Sequence, residues 1–329
     1  MSEMMKSVRQ PEAGGNLVIE SVPIPEPGPG EVLVKMAASP INPSDLANIA
    51  GGYMVRTWPF TPGLEGSGTV VKAGRGLPPA LRSGKRVACS PDPGGDGTWA
   101  EFMKTSAMHT VPLPVNVDFR QGSMMLINPM TAMALIQLAR QGNHKAFVNN
   151  AAASALGKML IRLAAKHSIP LISIVRKDEQ VDELKRMGAE HVLNSTSGSF
   201  ETELRELALQ LGATLVLDAV AGDESFRLLT AAPDGSRLVA YARLSGAPLK
   251  ADPADLIRLE KYISGFQLGN WLKSKSTLAK LHFMNQVKKE MNACLTTHIA
   301  RTFPLEDVNE AIREYSGNMS GGKILLIQD

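Results

Sequence analysis

The 329-residue chain is short of the residues that staple or metallate a fold, with two cysteines, six histidines and aromatics at 5%. Cys89 and Cys294 are too far apart in sequence for a disulfide framework or a four-ligand zinc cluster, which points to a reducing, cytoplasmic setting. His109, His144, His167, His191, His282 and His298 show no metal-ligand spacing and read as surface or core residues. No block of one charge sign occurs either: 35 Lys+Arg against 32 Asp+Glu are spread along the chain, so nothing tracks a phosphate backbone and no nucleic-acid partner is expected. Long apolar runs are missing. Met124 to Ala139 is the most apolar stretch, and Asn128, Pro129 and Thr131 interrupt it. The N-terminal MSEMMKSVRQPEAGG has acidic residues and no apolar core of a leader, so no membrane span is expected.

The composition that is present, 44% apolar and 20% charged, belongs to an ordinary globular chain, and the length suggests about two domains. The first 120 residues are dense in Pro and Gly, with short β-type runs at Glu31-VLVKMAA, Gly68-TVVKAG, Arg86-VACS and His109-TVPLP. From about Gly122 the texture changes to short apolar runs alternating with amphipathic ones. The runs Ala146-FVNN, Leu171-ISIV, His191-VLN, Leu215-VLDAV, Arg237-LVAYA and Phe266-QLGNWL predict six strands. Helices are predicted between them at Ser154 to His167, Glu179 to Met187, Glu201 to Leu211 and Asp223 to Ala231. Such alternation predicts an α/β fold with a doubly wound parallel sheet. Helices at Leu278 to Met291 and Leu305 to Tyr315, then a strand Lys323-ILLIQ, are expected to return the chain to the first domain. The expected boundaries are 1–124 with 273–329 for the β-rich domain, and 125–272 for the doubly wound one.

Directly after the first parallel strand, Phe147-VNNAAASALGKMLIRLAAK opens a long helix where a dinucleotide would bind. A GxGxxG pattern ending at Gly157 would put Ala152 and Ser154 at its first two glycines, a poor spelling that keeps the small size a pyrophosphate needs. The helix start, Ser154, Ala155, Leu156 and Gly157, would meet the phosphates with unpaired N–H groups, and the Ser154 hydroxyl could donate to them. A plain structural turn is the alternative. NAD-binding chains usually carry an acid at the end of the second strand; here stand Arg176 and Lys177, which suit the 2′-phosphate of NADPH. A solvated basic pair, neutralised by Asp178 and Glu179, is the other reading.

The blocks Ile41-NPSD, Pro62-GLEGSG, Asn128-PMTA, Gly188-AEHVLN, Leu217-DAVAG and Gly322-KILL together resemble the medium-chain dehydrogenase/reductase superfamily over nearly the whole chain. The closer likeness is to its zinc-free branch of NADPH:quinone oxidoreductases and mitochondrial-type enoyl-thioester reductases. The resemblance implies a GroES-like β-rich catalytic domain, a Rossmann cofactor domain, a cleft between them, a small-molecule substrate and a homodimer paired through the sixth strand. Zinc-dependent members have Cys where Asn42 stands and His where Leu64 stands, before a Glu matched by Glu65, and Pro91-DPGGDGTWAEF lacks the four cysteines of structural zinc; no metal is expected.

Without a Lewis acid the acceptor needs its own conjugation, so the resemblance implies quinones or other α,β-unsaturated carbonyls, or else an enoyl thioester of fatty-acid metabolism. Hydride addition to such an acceptor leaves an enolate to protonate. Tyr53, in the NPSD-x5-GxY spacing, is the implied proton donor, with an aromatic wedge after Gly51-Gly52 as the alternative. Asn42 and Thr131 match positions beside the nicotinamide, or serve as local turn and cap residues. Trp58 and Trp271 are expected near the acceptor, Trp271 in a Leu268-GNWL block on the sixth strand, and Tyr241 in the loop Ala240-YARLSGAP is expected at the cofactor. That loop lacks the paired glycines of enoyl-reductase relatives, and no basic path for a coenzyme A is visible. A cofactor-binding protein without turnover is the non-enzyme alternative.

Overall fold

The structure, a computed structural model, describes residues 3–51 and 57–328. It divides into two compact units, Met1–Pro129 with Val287–Asp329, and Met130–Gln286. In the first unit β1 (Met4–Arg9) and β2 (Val18–Pro23) form an antiparallel pair. Then come β3 (Glu31–Pro40), β4 (Gly66–Ala73), β5 (Arg86–Cys89), β6 (Phe102–Ser106) and β7 (Thr110–Pro112), with β14 (Ile299–Pro304) and β15 (Lys323–Ile327) from the chain end. They join in one sheet of order β14-β15-β3-β4-β5-β7, with β6 on β3. The last strand thus lies antiparallel to β3, with Leu325 opposite Pro40. Alternation explains the packing: Val32, Val34 and Met36, two residues apart, share one core with Val70, Val87 and Met103. Ile324 and Leu326 enter a second core with Val8, Ile41, Trp99 and Tyr315.

The second unit holds β8 (Ala146–Asn149), β9 (Leu171–Val175), β10 (His191–Asn194), β11 (Ala213–Asp218), β12 (Arg237–Ala240) and β13 (Tyr262–Gly265). All are parallel, in the order β10-β9-β8-β11-β12-β13. Helices Ala155–Lys166, Asp178–Arg186, Phe200–Leu211 and Asp223–Ala231 make the connections. The strands β8 and β9 are buried along their whole length, which is why they read as mostly apolar runs without alternation. Strand order reverses between β8 and β11, and at such a switch point the crevice outside the carboxyl ends receives ligands.

The sixth strand is not where the sequence predicts it. It is Tyr262–Gly265, and Leu268–Lys273 is a helix whose first turn is capped by Gln267, its side-chain oxygen accepting from Asn270 N at 2.6 Å. Its partner β12 ends at Ala240 opposite Gly265, so beyond that register no ladder is left to pair with. Trp271 therefore stands on a helix, against Phe283 at 4.9 Å between ring centroids. The predicted helix Leu305 to Tyr315 also divides, into a 3₁₀ turn Leu305–Asp307 and an α-helix Val308–Gly317.

Gly157 is the point where the Ala155–Lys166 helix meets the turn after β8. A Cβ there would lie 2.4 Å from the Ala152 carbonyl oxygen and 2.6 Å from its carbon, and neither atom can yield without moving the turn. Gly157→Val is expected to destabilise the chain by roughly 1–3 kcal/mol, the usual cost of overpacking. Chemical denaturation of variant and wild type checks it, and equal midpoints would contradict the close approach.

Candidate active site

In the second unit the carboxyl ends of β8, β11 and β12 are tied by side chains. Asn150 Nδ2 donates to Asp218 Oδ1 at 2.6 Å, and Ala219 N donates to Asn150 Oδ1 at 2.7 Å. Asp218 also accepts from Val220 N, Ala221 N and the Ser225 hydroxyl, so its carboxylate clasps the loops on both sides of the switch point. Tyr241 Oη donates to Asn149 Oδ1 at 3.0 Å. Burial, with Asp218 adding to it, pushes the Tyr241 phenol well above its usual value, so it stays protonated.

Three features suit this crevice to a dinucleotide. Asn149, fully buried, leaves its Nδ2 without an acceptor among the described residues. Ala151 and Ala221, in the loops after β8 and β11, hold left-handed φ of 49° and 64°, strain that side chains other than glycine rarely carry and that collects at ligand sites. The missing Cβ at Gly157 allows the close packing that the third glycine of the fingerprint serves.

Ser154 is the N-cap of the Ala155–Lys166 helix, and its Oγ accepts from Gly157 N at 3.1 Å. That bond leaves the hydroxyl hydrogen available, so capping and the expected phosphate contact are compatible. Ala155 and Leu156 follow in the first turn. Arg176 and Lys177 are exposed just past β9, and Arg176's charge reaches Glu224 in the first turn after β11. Burial, the larger influence, raises the Glu224 carboxyl above its usual value. Thr131, 8% exposed, sits in the first turn of the helix Asn128–Gln141.

The first unit contains a buried polar cluster that sequence reasoning caught only in part. Asn42, expected beside the nicotinamide, and Glu65, expected only as the family's Glu, meet here with Asp45 and Lys323, and all four are 1% or 2% exposed. Asn42 Nδ2 donates to Glu65 Oε1 at 3.0 Å, while Glu65 Oε2 accepts from Leu126 N at 2.9 Å and Ile127 N at 3.0 Å. Lys323 Nζ donates to Asn42 Oδ1 and to the Ile41 carbonyl. Asp45, inside the helix Pro43–Ile49, accepts from Asn42 N at 2.8 Å and Leu64 N at 2.9 Å. Burial raises the Glu65 carboxyl and lowers the Lys323 ammonium, and the attraction between their charges opposes both shifts. Burial pushes Asp45 up to about 6. The signal in the sequence was the Asp of NPSD and the Lys of GKILL, both present in quoted motifs but with no indication that they meet.

This cluster does not suit zinc. An amide and an aliphatic side chain stand at Asn42 and Leu64, Glu65 has both oxygens committed, and an ammonium already sits against Asn42. Trp58 is half-buried, edge-on to Phe60 at 4.9 Å. Tyr53 lies outside the described residues.

A six-stranded doubly wound sheet with a strained small-residue turn at its switch point has the architecture of a dinucleotide-binding fold. Comparison with known proteins agrees. Residues 28–115 match the alcohol dehydrogenase GroES-like domain family, and residues 155–284 the zinc-binding dehydrogenase family. The chain is 27% identical over 324 residues to a mitochondrial enoyl-[acyl-carrier-protein] reductase of Xenopus tropicalis, covering 94% of this chain and 91% of the relative. It is 30% identical over 258 residues to the enzyme of that name from Homo sapiens, covering 75% of this chain and 67% of the relative. A crystal structure from Mesorhizobium loti, provisionally named an NADPH:quinone reductase, superposes with a TM-score of 0.89 at 31% identity, covering 100% of this chain and 99% of that one. The chain belongs to the medium-chain dehydrogenase/reductase superfamily, among its quinone-reductase-like and enoyl-reductase-like members, a nicotinamide-dependent oxidoreductase family.

Asp45 supplies a test of the cluster. The unfolded carboxyl titrates near 3.8 and the folded one at about 6, so the folded chain keeps this proton longer. Stability contributed at this site is therefore full below about pH 4 and falls as pH rises to about 6. Thermal melts across that range should show wild type losing ground to Asp45→Asn; parallel curves would contradict the burial.

Proposed function

We propose that this chain is an NADPH-dependent, zinc-independent reductase that passes hydride to quinones or other α,β-unsaturated carbonyls. The observation that carries it is the crevice at the switch point, with an Asn149 Nδ2 that has no acceptor among the described residues and with Arg176 and Lys177 where NAD-binding chains place an acid. Ser154, Ala155, Leu156 and Gly157 would hold the pyrophosphate, Arg176 and Lys177 the 2′-phosphate, and Asn42, Thr131 and Tyr241 the nicotinamide end. Bound NADPH supplies the hydride. The chain's own part is to orient the acceptor and return a proton: Tyr53 is assigned as donor, with Trp58 and Trp271 as walls of the acceptor pocket. The two roles fall to a catalytic domain of 1–124 with 273–329 and a cofactor domain of 125–272.

Relatives named enoyl-[acyl-carrier-protein] reductases favour a second reading, reduction of a trans-2-enoyl thioester. The same hydride and proton steps apply; only the acceptor's tail differs. Purified protein with NADPH against a quinone, a short enone and a crotonyl thioester ranks the readings. Turnover of none, with NADPH still bound, would leave a cofactor-binding protein in their place.

We also place the chain in the cytoplasm as a homodimer. Cys89 and Cys294 form no disulfide with one another, as suits a reducing compartment. No helix among the described residues is long and apolar enough to cross a membrane. At the sheet edge formed by β13, Tyr262 is 60% and nearby Ile257 79% exposed, an apolar edge open to a second copy.

Arg176→Ala should raise the KM for NADPH at least tenfold while changing that for NADH less than twofold. Steady-state kinetics with both cofactors decides it, and equal effects would remove the phosphate role. Tyr53→Phe should lower kcat on enones by roughly 10²-fold if the phenol delivers the proton. An unchanged rate would reduce Tyr53 to a pocket wall.

A further inference from the structure

Burying one ammonium and two carboxylates costs several kcal/mol per ion, and apolar residues of the same volume would fill the space more cheaply. In the first unit, Lys323 spends its bonds in an unusual way. Its ammonium bonds Asn42 Oδ1 and the Ile41 carbonyl rather than a carboxylate, and the Tyr315 ring lies 5.5 Å away. The Asn42 amide is thereby inserted between a cation and an anion, Lys323 on its oxygen and Glu65 on its nitrogen. A flipped amide would set an NH₂ group against an ammonium and a carbonyl against a carboxylate, so only one orientation is allowed. Glu65 is fixed in turn by the Leu126 and Ile127 N–H groups, and the Asn42 main chain by Asp45.

We infer that Lys323 and Glu65 are positioning residues for Asn42: between them they lock its amide in one orientation, the one in which it would serve the proposed site. The inference rests on the proposed reductase function and deepens it, because Asn42 occupies the position where zinc-dependent relatives carry a metal ligand. An internal ammonium and an oriented amide then supply the fixed polarity of that position.

The test compares wild type with Lys323→Met, with the charge-balanced pair Lys323→Met/Glu65→Gln, and with Asn42→Ala. Melting temperature, NADPH binding by fluorescence, and kcat with the best acceptor are read on each. Lys323→Met should lose melting temperature and at least tenfold in kcat. The balanced pair should regain most of the melting temperature while kcat stays at least tenfold low, and adding Asn42→Ala to Lys323→Met should lower kcat less than twofold further. A balanced pair with wild-type kcat would make Lys323 a counter-ion only and overturn the inference, as would losses that multiply.

Side-chain amide NMR of the wild type keeps the question open to decision if the variants fail to fold. A locked amide protects its Asn42 Nδ2 protons from exchange with solvent and shifts the one bonded to Glu65 downfield, whereas unprotected protons at the shifts of an exposed asparagine would overturn the lock. A wild type that binds NADPH yet reduces no acceptor would defeat the proposed function. In that case the Asn42 resonances still decide whether Lys323 and Glu65 hold the amide.

Discussion

An ammonium taken out of water must find oxygen, and much of the first unit is arranged to give Lys323 that oxygen. The strand it opens, β15, returns from the chain end to pair with β3, which delivers Ile41 and Asn42 to its side. Asn42 carries the polarity on to Glu65, and Glu65 to the N–H groups of Leu126 and Ile127. Four stretches remote in sequence are thus joined by one polar path inside an apolar surround of Ile41, Tyr315 and Ile324. Each bond there forms in low dielectric, where a satisfied network specifies one arrangement and an unsatisfied one is costly. The closing strand is therefore part of the site's construction as well as the sheet's.

The second unit meets a different constraint. A parallel sheet buried on both faces has to send its polar groups to the strand ends, and the ends of β8 and β11 gather them. Asp218 satisfies the loop N–H groups and the Asn150 amide together, and the Asn149 amide nitrogen has no partner among the described residues. The same loops bear left-handed alanines at 151 and 221. Strain and an unpaired donor meeting at one crevice are what a pre-organised ligand site would show. The clasp also explains why a turn spelled with alanine can do what glycine does elsewhere: the backbone conformation is imposed by the surrounding bonds.

Much of this was legible along the chain because the forces involved are local. Short, mostly apolar runs marked β8, β9 and β10, and good helix formers marked the connections, the first of them opening at Ser154. Arg176 was readable from its place after the second strand. The strand expected at Trp271 is absent because Phe266-QLGNWL, though apolar enough for one, lies past Ala240, where pairing stops, and the Gln267 side chain starts a helix instead. Pairing register belongs to the neighbour strand and leaves no mark in the run itself.

What the sequence by itself determined is the class of fold, the order of its elements and the family, since periodicity, turn residues and motif spacing all act over a few residues. Tertiary structure alone decided the meeting of Lys323 with Asn42 across 281 positions, the commitment of both Glu65 oxygens, and an Asn149 nitrogen with no partner among the described residues. These depend on desolvation, which a residue experiences only after distant segments have closed around it.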